Sequence, residues 1–429
     1  MLTRPFRTTI ALLAAFAVAA CGEDSPTAVG PVANRVEAAT DLRRILIGDA
    51  VAATADVFDL KSNTKVQSLT LAGPASLVYA SPSGRYGILQ QRTQGLVTFL
   101  DGGIYTEGSG ANIVARKSTP TRLAYQIRDS LPTHESVAGN WISIFFDGSG
   151  KAVWIDERDF YAGNYRTAVE INSGGPQHSA SATLVTSAGD FFTLAPKDPA
   201  GNILPQGVQS FNRAGQSLGR LDACPNMHGN ASIEGAVIYG CQDGILYVRL
   251  GANGMPTKVK ANLTGSLAGM GVRNAYSEYG AKFIVGQVLT APGVTPSRRI
   301  LATIDPLTGT IEPLPMPAGV VDHRIAVDAY NNRALVLGTN GTLYIFNGLT
   351  RQLQHTVPGI VPALPTSAIR FHEVATADGV AFVASPYTGE VVEVNTGTGA
   401  IARRLAVGGA PSRLAILGVH KGGEVRLGS

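Results

Sequence analysis

A strand, a polar turn and a second strand recur along this chain. The stretches are "VFDLKSNTKVQSL" at 57–69, "TIDPLTGTIEPL" at 303–314, "IFNGLTRQLQHTV" at 345–357 and "EVNTGTGAIARRL" at 393–405. A second unit lies upstream of these, a short turn followed by an apolar strand, as in "SPSGRYGIL", "AYNNRALVLG" and "TADGVAFVAS". Together they form four-stranded units of about forty to fifty residues, the period of β-propeller blades. No sustained helical period follows the first thirty residues, and 50 glycines supply the turns.

Counting by the second strand of each unit gives 43–49, 85–91, 141–147, 191–196, 236–241, 282–288, 333–338 and 380–385. The expectation is an all-β propeller of eight blades, with seven as the alternative if one unit is irregular. The first unit lacks an innermost strand. The segment "GAPSRLAILGV" at 409–419 has the form to supply it. The ring would then close with strands from both chain ends and leave no exposed edge.

The N-terminus has a different character. "MLTRPFRTTIALLAAFAVAACGED" places two arginines before a short apolar run that ends at Cys21, the pattern of a secretory signal. "VAAC" looks like the lipobox of a bacterial lipoprotein, with Cys21 as the lipidated residue. The expected organisation is a signal at 1–20, a flexible tether at 21–38 and a single propeller at 39–429. Gly22 follows the cysteine, so in a two-membrane bacterium the outer membrane, facing the periplasm, is expected. Formal charge is near neutral once Arg4 and Arg7 leave, and no basic patch stands out, which argues against a nucleic-acid partner. An apolar fraction of 45% is ample for a large core.

Two cysteines remain, in "DACPNMHGNAS" and "VIYGCQDG". Cys224 stands four residues before His228, so it could be half of a metal clip or half of a disulfide. In an oxidising compartment a Cys224–Cys241 disulfide is the default. The repeat register separates the two functions: Cys224 closes one blade, and His228 opens the next.

Only seven histidines occur. With the blades aligned on their second strands, His134, His178, His228, His323 and His372 all fall at the start of a first strand. The steps between them are 44, 50, 95 and 49 residues. Arg273 and Arg413 take the analogous place in two further blades, and a neutral residue near Ser76 takes it in the last. First strands line a propeller's central channel, so these side chains should converge at one mouth. His355 and His420 fall outside the set and read as surface residues. Clustered neutral imidazoles suit zinc or copper, and Glu135, Glu373 and Asp322 could complete or orient a shell. A structural ring of polar residues bonded to loops and water is the other reading, and two arginines at the same level favour an anionic ligand or an off-centre metal.

The segment "ACPNMHGNAS…VIYGCQDGIL" resembles the C-P-x-x-H-G-x-A…G-C-x-D-G segment of the AztD family of periplasmic zinc metallochaperones. "LVYASPSGRYGIL" and "ISIFFDGSGKAVWIDE" are similar to the corresponding family stretches, and the likeness runs from about residue 40 to the C-terminus. The resemblance implies a propeller that binds zinc through channel histidines and delivers it to the solute-binding protein of a zinc ABC transporter. Carried over by motif, the implied ligands are His134, His178, His228 and His372, with Glu135 less closely matched. One departure is clear. The family carries a His- and Asp-rich loop where this chain reads "FLDGGIYTEGSGANIVARKSTPTRL", without a histidine.

An enzyme is not expected, because no G-x-S-x-G, H-E-x-x-H or P-loop occurs. The competing expectation is a lipid-held interaction scaffold with no tight metal.

Overall fold

The computed structural model describes residues 27–31, 42–107, 114–291 and 295–419. The signal segment, Cys21, most of the tether stretch and His420 lie outside these residues.

Eight four-stranded antiparallel sheets form the blades of a β-propeller. Numbered along the chain from their innermost strands, blade 2 starts at Leu77–Ala80, blade 3 at Pro132–Ala138, blade 4 at Ser181–Thr186 and blade 5 at Asn230–Ile233. Blades 6, 7 and 8 start at Met270–Tyr276, Asp322–Asp328 and Glu373–Ala377. Blade 1 takes its innermost strand, Pro411–Gly418, from the far end of the chain. That strand pairs with Arg43–Asp49, with Leu46 opposite Ala415. Eight blades and closure by both ends match the sequence expectation.

The second strands read as continuous apolar runs because both faces of every blade are packed. One hydrophobic cluster fills each of the eight junctions. Tyr86, Ile88, Phe99, Ile144 and Phe160 fill the junction of blades 2 and 3. Ile45, Phe382, Val391 and Ile416 fill that of blades 8 and 1. Each fully buried Ile or Phe contributes about 1.5–3 kcal/mol, so the ring is held by many equivalent seams.

Cys224 and Cys241 are bonded, with Cα atoms 4.8 Å apart. Both are fully buried in the cluster between blades 4 and 5. The metal-clip alternative for Cys224 is thereby corrected, since its sulfur is committed to Cys241.

A small additional sheet departs from the plain ring. Ile104–Glu107 and Val114–Lys117 form a hairpin inserted in blade 2, and Thr27–Pro31 pairs with its free edge. Five residues of the stretch read as a tether are therefore a strand. The hairpin occupies the histidine-free segment at 99–123.

Within each blade the strands alternate in direction. Loops that join second to third strands, and links from one blade to the next, therefore gather on a single face, where the innermost strands begin. That face carries the histidines.

Candidate metal centre

Three consecutive blades bring three imidazoles together. His134 lies near the start of the innermost strand of blade 3. His178 and His228 lie in the links that enter blades 4 and 5. His134 Nε2 is 3.1 Å from His178 Nε2, which is 3.3 Å from His228 Nε2. Two nitrogen ligands at about 2.0–2.1 Å from a tetrahedral zinc ion stand about 3.3 Å apart. The rings form a row with His178 in the middle: the His134 and His228 centroids are 6.1 Å apart, against 4.7 and 5.1 Å for the pairs that include His178. Among the described residues, no group of three or more His, Cys, Asp or Glu side chains is arranged so as to hold a metal ion.

The outer nitrogens fix the chemistry of the inner ones. His178 Nδ1 is 2.8 Å from Asp147 Oδ2. His228 Nδ1 is 3.1 Å from the backbone carbonyl of Arg273. A carboxylate and a carbonyl can only accept, so both Nδ1 atoms carry the proton. In the neutral rings both Nε2 atoms then present lone pairs, and these face each other across 3.3 Å. Two acceptors at that distance repel unless a proton or a cation lies between them.

Burial disfavours a proton on His134 and on His228. Burial, followed by the neighbouring His178, pushes the His134 pKa down to about 3. Burial also lowers that of His228, outweighing the Arg273 carbonyl bond, which raises it, with His178 and the Arg273 guanidinium adding to the fall. Burial pushes the Asp147 carboxyl up, but its bond with His178 and the Arg92 guanidinium, 3.1 Å away, outweigh this and hold it below its usual value. Neutral imidazole with a carboxylate behind it is the arrangement a metal ligand needs.

The other expected site residues lie elsewhere. Glu135 turns from the histidine row into the channel, toward Tyr79 and Glu373. Burial, with the Glu373 charge adding, pushes its carboxyl up to about 7. His372 is fully buried and donates from Nε2 to the Pro362 carbonyl at 3.0 Å. Its ring neighbours are His323, at 5.9 Å, and Tyr387. Glu373 is held between Arg324 at 3.3 Å and Arg413 at 3.6 Å. Asp322 pairs with Arg299 at 2.5 Å.

A register detail corrects the sequence alignment of Arg273 and His323. The innermost strands of blades 3, 7 and 1 each carry a bulge at their second residue, Thr133, His323 and Ser412, and that of blade 6 carries one in its middle, at Arg273. A bulge adds one residue on one strand. By pairing, Asn274, Arg324, Glu373 and Arg413 stand where His134 stands. Arg273 and His323 sit one position earlier. The mouth is thus divided, with imidazoles on blades 3 to 5 and an Arg–Glu–Arg row on blades 7, 8 and 1.

Sequence reasoning missed Asp147 as a partner of the site. The available signal was its place, one residue beyond the second strand of blade 3, on the face where innermost strands begin.

No family model matches the chain. Among solved structures, the fold is similar to AztD from Citrobacter koseri in two determinations, one of them of the apo protein. Each has a TM-score of 0.75, at 20% and 19% identity, and covers 88% of this chain and 98% of that one. It is more distantly similar to the dihydro-heme d1 dehydrogenase NirN in complex with DHE. There the TM-score is 0.54 and the identity 15%, over 92% of this chain and 80% of that one. At these identities the likeness establishes the propeller fold.

Proposed function

We propose that this protein is a zinc carrier of the bacterial periplasm and not an enzyme. His134, His178 and His228 hold the ion as cargo, and its recipient is the solute-binding protein of a zinc ABC transporter. The observation that carries this reading is the locked pair of tautomers. Asp147 and the Arg273 carbonyl hold the protons of His178 and His228 on their outer nitrogens, so the inner nitrogens offer lone pairs to a cation. The fold shared with AztD and the "CPNMHG" segment support the choice of zinc. Lipidation at Cys21 would keep the carrier at the outer membrane, a further part of the same proposal.

The test is zinc content. The chain from Gly22 onward is incubated with zinc, dialysed and analysed for metal, beside the His134→Ala/His228→Ala double variant. The expected result is close to one zinc per chain for the first and little for the second. Wild-type protein that retains no zinc would sink the carrier reading and leave the interaction scaffold.

A further inference from the structure

A pocket of about 460 Å³ opens beside the histidine row, between the links and loops of blades 4, 5 and 6. Its lining includes Ile203, Leu204, His228, Gln242, Arg273 and Leu289. His228 is the member of the row that reaches it.

Arg273 is tied to this spot. It is the bulge residue of its strand, and its carbonyl accepts the His228 Nδ1 proton. The bulge takes its side chain out of the strand's alternation and leaves it exposed on the pocket wall. Arg324 and Arg413 share Glu373, whereas no carboxylate among the described residues pairs with Arg273. An unpaired guanidinium beside a metal ligand is a seat for a carboxylate. Ile203, which is 86% exposed, adds an apolar edge to the same opening.

We propose that this pocket is the port through which a carboxylate-bearing acceptor takes the metal, an inference that builds on the zinc-carrier reading. Arg273 binds one carboxylate of the acceptor and brings a second donor to the ion. The exchange is a ligand substitution. A carboxylate oxygen forms a bond to zinc as the bond to His228 Nε2 breaks, the electron pair returns to the imidazole, and no redox change occurs. The apolar edge at Ile203 favours an acidic protein segment over a free organic acid.

Zinc removal from the loaded chain, followed by stopped flow, tests this with three probes: nitrilotriacetate, an aspartate- and histidine-rich peptide, and the neutral chelator 1,10-phenanthroline. Arg273→Gln, which keeps the carbonyl that holds His228, should slow the two carboxylate probes at least tenfold relative to phenanthroline, the internal reference for any change in zinc binding. Ile203→Asp should slow the peptide alone; if it leaves the peptide unaffected, the preference for a protein segment falls. Equal slowing of all three probes by Arg273→Gln, or of none, overturns the port. A zinc-free arm separates the two proposals. Citrate binding to the metal-free chain, read by calorimetry, should weaken at least tenfold in Arg273→Gln. Citrate binding of this kind without zinc retention would keep the carboxylate seat and overturn the metal exchange along with the carrier, whereas equal citrate binding by both proteins would overturn the seat.

Discussion

His178 donates its Nδ1 proton to Asp147 across the seam between blades 3 and 4, at 2.8 Å. Asp147 is held in turn by Arg92 of blade 2. A line of contacts thus runs from Arg92 through Asp147 and His178 to His228, spanning four blades. Asp147→Asn keeps the shape but offers His178 a weaker acceptor. Zinc affinity should fall by about 10–100-fold, measured by competition with a chromogenic chelator, while the metal-free melting temperature moves little. An unchanged affinity would show that Asp147 does not orient the ligand.

Gly229 has a left-handed backbone, with φ of 74°, and a Cβ there would stand 2.8 Å from the Arg273 carbonyl oxygen. That oxygen is the one that accepts from His228. Gly229→Ala should cost about 1–3 kcal/mol in urea denaturation and also weaken zinc binding. Gly235→Ala is the control: φ is 79°, but nothing lies within 4 Å. It should lose stability alone and leave zinc affinity intact.

The Cys224–Cys241 bond closes a loop of 17 residue steps. On chain-entropy arguments such a bond contributes about 3 kcal/mol. The double Cys→Ala variant should unfold at correspondingly lower urea concentration. Because neither sulfur serves as a ligand, the folded variant should still retain zinc. Loss of zinc from a folded variant would count against the division of labour between Cys224 and His228.

The His134 pKa falls to about 3 from an ordinary 6.5, with burial as the main cause and His178 next. Between those two values the unfolded chain binds more protons than the folded one, so stability rises with pH. The metal-free protein should have this contribution in full above about pH 6.5 and lose it progressively as the pH falls toward 3. The slope for one proton is about 1.4 kcal/mol per pH unit. His134→Asn should flatten the curve in that window. Denaturation midpoints across the pH series check it, and an unaltered slope in the variant would refute the assignment.

The blades were legible because each second strand is packed on both faces and so reads as an unbroken apolar run, as in "WISIFF" and "AVIYGC". His134, His178 and His228 were legible because the repeat returns the chain to the same mouth. His323 and Arg273 were misaligned because bulges shift the pairing by one residue without altering the strand's composition. His372 shares the period, yet its ring lies against His323 and Tyr387, apart from the row, with Nε2 held by the Pro362 carbonyl in the link that enters its blade. Asp147 was missed because it belongs to a loop position, where no periodicity marks a side chain's direction.

Closure of the ring also sets an order of events. Arg43–Asp49 is made long before its inner partner, Pro411–Gly418. Until that strand arrives, Ile45 and Leu46 face an open seam on both sides of blade 1. An early portion of the chain therefore cannot complete the first blade. Residues 43–49 and 411–418 reach their folded form together, so every finished ring attests that its chain was translated at least through Gly418.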